Sequence, residues 1–429
     1  LLLNHTSPAN PRTLISSLGC GTYQAGAFAS LGDLYPGVGL RRRGQSVCGS
    51  FKPFLKVRFL RGREFHGQRK INLQSLWTDK SLIRENMAWE LLQEMAQPYC
   101  THEFVRIHAN GAYFALYAAY ERPDSRFLER NGLDPDGNLY KLKDGIFDTA
   151  QLLRNQGRAG VKNGADFQNI RANLRATQTP DWLDKHVNYE RWNRYHAIVE
   201  GIRHYDFVPA DSHSKNRAWY FEPDYSGTPY GRLWTLPWDT DASWGPNWNS
   251  GIDYSKAAIW SGTGREPFRV AYRNNMREFR DLVWTKEVIE RMIDDLAARL
   301  QVFAMADRDR WRGAPAAVGT QDFGAMETKV ADMKRFAFVA WSGSTGPAVP
   351  QGGRALYLDQ LSVAEGDGGK IPATPAATYT GPEGFPMDAL TFAASDYSDP
   401  QGDQFGAMRW RLGAITPPGA PFDPAAGRI

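Results

Sequence analysis

Residues 104–121, FVRIHANGAYFALYAAYE, decide the fold. Two apolar runs flank Asn110-Gly111, a dipeptide that favours a type I′ turn because both central positions need positive φ. A β-hairpin ending at Glu121 is the expectation. Just upstream, KSLIRENMAWELLQEM (80–95) repeats Leu82, Ile83, Met87, Leu91, Leu92 and Met95 at helical spacing, with Asp79 placed as an N-cap. Before it, FKPFLKVRFL (51–60) alternates, with Pro53, Leu55, Val57 and Phe59 on one face and Lys52, Phe54, Lys56 and Arg58 on the other. That pattern predicts a half-buried strand with a basic face. Strand, helix and hairpin together make a small β-rich unit.

Beyond the hairpin the periodicity turns helical in DTAQLLRN (148–155), YERWNRYHAIVEGIRHYD (189–206) and KEVIERMIDDLAARLQVFAMA (286–306), the last capped by Thr285. The fold class expected is α+β with two lobes. A β/loop extension covers 1–39, a small lobe 40–121 and a larger, mainly helical lobe 122–345. Composition then shifts, because residues 346–429 hold 11 of the 26 prolines and nine Asp/Glu against five Lys/Arg. SGSTGPAVPQGG (342–353) and GDGGKIPATPAATYTGPEG (366–384) read as linkers or loop-rich β structure, while ALTFAASDYSDP (389–400) and GAMRWRLGAI (406–415) read as short strands. The expected C-terminal unit is a partial sandwich of immunoglobulin or fibronectin type.

Composition excludes several classes. Of the 429 residues 42% are apolar and 23% charged, which rules out a disordered chain. The net charge of +4 is too small and dispersed to argue for a nucleic-acid partner. Cys20, Cys48 and Cys100 match no zinc-ligand spacing and are too few for a disulfide scaffold. No apolar run approaches the ~18 residues of a membrane span. The start, LLLNHTSPANP, has neither an initiator Met nor a basic n-region, as expected of a chain that begins inside a longer precursor.

Two acidic clusters carry candidate chemistry. In ADSHSKN (210–216), Asp211 and Asn216 are five apart, the spacing of the Asp and Asn in a kinase catalytic loop. A polar turn capped by Asp211 or Ser212 has the same pattern. In LPWDTDASWG (236–245), Asp239 and Asp241 follow a strand-like run and suit one hard cation, either the metal of a phosphotransferase or calcium in a surface loop. The intervening WYFEPDYSGTPYGRLWTL (219–236) is long enough for a hairpin that sets the clusters side by side.

In order along the chain, RRRGQS (41–46), FKPFLKVRF (51–59), INLQSLWTDKSLIRENMAWELLQEM (71–95), NGAYFALYAAYE (110–121), GNLYK (137–141), ADSHSKN and PWDTDASWG form a series that resembles the spore-coat CotH kinases, an atypical branch of the protein-kinase-like fold. The resemblance covers roughly Leu40 to Trp311. Ala115 stands where the family commonly has Gly, and the stretch between the acidic clusters is longer than usual. The resemblance implies a bilobal kinase-like domain that uses ATP with Mg²⁺ or Mn²⁺ to phosphorylate Ser, or another hydroxyl, of itself or of an extracytoplasmic protein. It implies Asp211 as catalytic base or acceptor-orienting group, and Asn216, Asp239 and Asp241 as metal ligands. Lys52, with Lys56 as the alternative, would meet phosphate, and Arg43, Gly44 and Ser46 would form a phosphate-facing turn. Glu121 would meet the adenine, and Glu85 or Glu90 would orient the strand lysine. The partners implied are nucleotide and a coat or surface protein, with no nucleic acid and no membrane span, and the location implied is the cell or spore surface. Trp234, Trp238, Trp244 and Trp248 crowd the second acidic cluster, and an aromatic shelf there would suit the alternative, a non-catalytic adhesin or carbohydrate-binding protein on a kinase-like scaffold.

Overall fold

The structure is a computed structural model, and its described residues are 15–44, 47–142, 152–155, 157–174, 178–204, 216–223, 228–245, 266–312, 326–340, 351–363, 372–408 and 410. The chain is α+β. Strands β1 (Gln24–Ser30), β2 (Asp33–Arg43), β3 (Phe54–Arg58), β4 (Lys70–Gln74), β5 (His102–Ala109) and β6 (Ala112–Glu121) form one antiparallel sheet in the order β1-β2-β3-β4-β6-β5. The β5–β6 hairpin turns on Asn110 and Gly111 at φ of 48° and 82°, as the dipeptide predicts.

Helix α1 (Arg84–Glu94) lies between β4 and β5 in sequence. It starts five residues after Asp79, later than the sequence pattern suggests. The Asp79 carboxylate still serves its first turn, because Oδ2 accepts the Arg84 amide at 2.8 Å while Oδ1 accepts the Ser81 amide at 2.8 Å.

After α2 (Ser125–Arg130), strands β7 (Asn138–Leu142), β8 (Leu152–Asn155), β9 (Arg217–Glu222) and β10 (Arg232–Pro237) make a second antiparallel sheet in the order β10-β9-β7-β8. Here the helical reading of DTAQLLRN is corrected, since Leu152–Asn155 pairs with β7. Helices α3 (Ala165–Asn173), α4 (Pro180–His186), α5 (Tyr189–Ile202), α6 (Glu266–Leu282), α7 (Lys286–Trp311), α8 (Met326–Phe338) and α9 (Gly353–Ser362) complete the larger part. Thr285 caps α7 by accepting the Val288 amide at 3.2 Å.

Two hydrophobic cores result, and β6 belongs to both. Ala115, Tyr117 and Ala119 join Leu55, Val57, Ile71 and Leu73 behind the first sheet, whereas Leu116, Ala118 and Tyr120 join the core of α1 and the large helices. Burial on both faces explains why AYFALYAAYE reads as one apolar run. Helix α7 also bridges the cores, with Val288 through Ala304 in the larger and Trp311 in the smaller. Helix α9 packs against α6 and α8, and its buried Arg354 sits 3.6 Å from the buried Glu200 of α5. The boundary expected near residue 345 therefore precedes the last helix of this core. Farther on, β11 (Ala377–Tyr379) and β12 (Phe392–Ala394) form a two-stranded ladder, with β11 inside the stretch that reads as linker or loop-rich β structure and β12 inside a stretch that reads as a short strand.

Candidate active site

The first sheet turns its charged face toward the larger core, because the residues that alternate with its apolar set share the side of Ala118 and Tyr120. Arg41, Lys56 and Asn72 stand abreast on β2, β3 and β4, and Arg58 faces Lys70 in the neighbouring row. Lys56 is half-buried and makes no hydrogen bond or ion pair with any described residue. Burial, reinforced by the charges of Arg122, Arg43, Arg41 and Lys70, pushes its pKa down to about 6. Unmatched cations crowded on a half-buried face are a standing electrostatic cost, and an anion would relieve it.

Arg43 links this face to the acids. It donates to Gln74 Oε1 at 2.7 Å, and Gln74 Nε2 donates to Glu85 Oε2 at 3.2 Å. Glu85 is buried, and its carboxyl is pushed well above the usual range by desolvation and then by Asp241 and Asp239. Asp239 adopts a left-handed φ of 57°, just past the end of β10. Asp241 accepts a hydrogen bond from Thr78 Oγ1 at 2.9 Å, tying the acidic loop to the segment before α1. Trp238 lies between two cations, with Lys141 Nζ 4.0 Å and the Arg43 guanidinium 5.9 Å from its ring. Burial pushes Lys141 down to about 7, opposed by Asp239.

Local chemistry explains how these groups are held. In GNLYK, Asn138 Nδ2 and Tyr140 Oη each donate to Asp166 at 2.7 Å, which fixes β7 and leaves Lys141 to project toward Trp238. Register pairs Arg217 with Pro237, so Asn216 and Asp239 flank the same end of the β9–β10 hairpin. That hairpin matches the one expected between the two acidic clusters. Gly44 sits at φ 94°, where a Cβ would come within 2.5 Å of Val47 Cγ2, so the turn after β2 requires glycine.

The expected residues distribute unevenly. Arg43, Asp239 and Asp241 converge with Glu85, and of the two helix glutamates Glu85 meets the cleft, while Glu90 lies 3.9 Å from His102. Asn216 is buried beside the hairpin end. Lys52 does not join them. It precedes β3, and its ammonium is buried in an ion pair with Asp307 of α7 at 2.7 Å. Asp307 also accepts the Leu116 amide at 2.7 Å. Glu121 is likewise committed, to Arg130 at 2.6 Å and the Thr101 amide at 3.1 Å, so its side chain is a structural anchor. Trp244 stacks on Trp284 at 5.0 Å, and it and Trp238 are buried, so neither forms an exposed shelf. Asp211, Ser46 and Trp248 lie outside the described residues. Lys141 is the residue that sequence reasoning passed over. Its signal was present in GNLYK, where a lysine follows a buried tyrosine and must face the other side of the strand.

The cation-bearing face of an antiparallel sheet, with carboxylates from a helix and from the loop after β10 beside it, defines the class of α+β protein to which this site belongs. Within that class the chain belongs to the family described as CotH kinase protein, which it matches over residues 40–337. It is similar to the inner spore coat protein H of Bacillus subtilis (strain 168), being 22% identical over 294 residues that span 63% of this chain and 78% of that protein. Among the described residues no helix is long and apolar enough to cross a membrane.

Proposed function

We propose that this chain is an atypical protein kinase with a bilobal kinase-like domain, transferring the γ-phosphoryl group of ATP to Ser, or another hydroxyl, of itself or of an extracytoplasmic protein. The observation that carries the reading is the opposed charge in one cleft. Glu85, Asp239 and Asp241 repel one another, while among the described residues neither Lys56 nor Lys141 forms a direct ion pair with a carboxylate, although Asp239 and Glu85 act on Lys141 at a distance. A nucleotide triphosphate with its divalent cation would relieve both imbalances at once. Among the described residues no three His, Cys, Asp or Glu side chains form a ready-made cation cage. Mg²⁺ and Mn²⁺ take one or two carboxylates and complete their shells with phosphate oxygens and water.

In this reading Asp239 and Asp241, with Asn216, hold the metal, whose contribution is to neutralise phosphate charge. Arg43, Lys56 and Lys141 bind phosphate, and Gly44 lets backbone approach it closely. Glu85 orients Arg43 through Gln74, the part that a helix glutamate plays for a strand lysine in ordinary kinases. Asp211 orients or deprotonates the acceptor hydroxyl. Secretion or display on a spore or cell surface is part of the same proposal. It is supported by the spore-coat relative and by the Cys20–Cys48 disulfide, a bond that persists in oxidising compartments.

Calorimetry with ATP tests the binding half. ATP should bind in the presence of Mg²⁺, and Lys141→Met should weaken it by ~10-fold or more, the effect of losing a charge-assisted contact. If ATP does not bind, or if Lys141→Met binds it as tightly as wild type, the nucleotide reading fails.

A further inference from the structure

A cavity of about 290 Å³ lies where the C-terminal ends of α1 and α2 meet the first turn of α5 and strand β10. It shares no residue with the charged cleft. Its walls include Gln97, Tyr99, Arg130, Arg191 and Trp234. Two of these carry unspent hydrogen-bonding capacity.

Gln97 is only 4% exposed, and its Oε1 is buried with no hydrogen-bond partner among the described residues. Its Nε2 is already used on the Met95 carbonyl at 3.3 Å. A buried carbonyl left unpaired is costly, so a ligand N–H would be favoured there.

Arg191 donates Nη1 to the Ala96 carbonyl at 2.6 Å, and its guanidinium lies 5.3 Å from the centre of the Trp234 ring. No described carboxylate pairs with it. A guanidinium held over an indole and pinned at one nitrogen keeps donors for a carboxylate and has little entropy left to lose. Arg130 differs, because Glu121 absorbs its charge. Among the described residues no carboxylate lines the cavity itself; Glu222, outside the lining, accepts from Trp234 Nε1 at 3.3 Å.

Among the described residues, the cavity wall therefore holds one guanidinium without a carboxylate, one buried acceptor without a donor and two aromatic rings. Inorganic phosphate could accept from Arg191 and donate its P–O–H to Gln97 Oε1, but it is too small to cover the Tyr99 and Trp234 walls. A peptide with an Asp or Glu supplies a side-chain carboxylate for Arg191, a backbone N–H for Gln97 and apolar surface for the two rings. We propose that this cavity docks an acidic peptide segment of a protein partner. The inference does not depend on phosphoryl transfer, and its test needs no turnover.

The test is fluorescence polarisation of the full chain with a labelled Glu-rich peptide, its Gln-substituted counterpart as control, and inorganic phosphate as competitor. The Glu peptide should bind at least ~10-fold more tightly than the Gln peptide, and Arg191→Gln should remove that preference. Because Arg191 also holds the Ala96 carbonyl just past α1, Gln97→Leu is the second variant; it should weaken the Glu peptide while leaving thermal melts near wild type. The proposal is overturned if the Glu peptide does not bind. Equal affinity for both peptides would also overturn it, as would wild-type affinity in folded Arg191→Gln and Gln97→Leu, or stoichiometric displacement by phosphate.

Discussion

A lysine is tolerated in a protein interior only where its charge is matched, and Lys52 is matched by Asp307 at 2.7 Å. Removing one partner leaves the other buried and uncompensated. Lys52→Met should therefore cost about 3–5 kcal/mol in denaturant unfolding, and adding Asp307→Asn should recover part of the loss. Additive effects of the two substitutions would contradict the pairing. Lys56, four residues on, has no such partner, and its folded pKa of about 6 lies below its ordinary 10.5. Between those values the unfolded chain holds the proton and the folded chain does not, so stability rises with pH across that window. Lys56→Met removes the slope. Its unfolding free energy should exceed that of wild type by a margin that widens as pH falls from about 10 to about 6, on the order of 1–3 kcal/mol at the lower end. Parallel melting curves against pH would show that Lys56 keeps its charge in the fold. The alternation of FKPFLKVRFL places both lysines on one face, yet it does not reveal which one carries a counter-ion. Asp307 lies 255 positions away, beyond the reach of any local pattern.

Elements with a turn or cap signal beside a long apolar pattern were legible, and short ones were not. The β5–β6 hairpin and α7 follow from Asn110-Gly111 and from Thr285 with its apolar stripe. LLRN at 152–155 is too short for helical and extended spacing to be told apart, and pairing with β7 settles it. The Cys20–Cys48 disulfide was equally hidden, because three cysteines 28 and 52 positions apart carry no pairing signal. It ties the segment before β1 to the turn that begins at Gly44. Closing 28 positions of chain should contribute about 3–4 kcal/mol through the unfolded state. Thermal melts of the oxidised chain and of Cys20→Ser/Cys48→Ser should differ accordingly, with weaker nucleotide binding in the variant because the turn loses its tether. Identical melts would remove the disulfide from the account.

Across the whole molecule, the candidate site is assembled from segments that the sequence presents far apart. Arg43, Gln74, Glu85, Lys141 and Asp239 come from both sheets and α1, and they meet because β6 and α7 each belong to both cores. The sequence marked Arg43, Asp239 and Asp241 through local motifs, left Glu85 and Glu90 undecided, and said nothing of the role of Lys141. Charge opposition across that cleft is the central claim, and transfer of label from γ-labelled ATP tests it most directly. Wild type with Mg²⁺ or Mn²⁺ should label itself or an added protein. Asp239→Asn, checked for folding by thermal melts, should be slower by ~10³-fold or more, because metal electrostatics and positioning supply most of the barrier reduction in phosphoryl transfer. Labelling by folded Asp239→Asn at the wild-type rate would contradict the account.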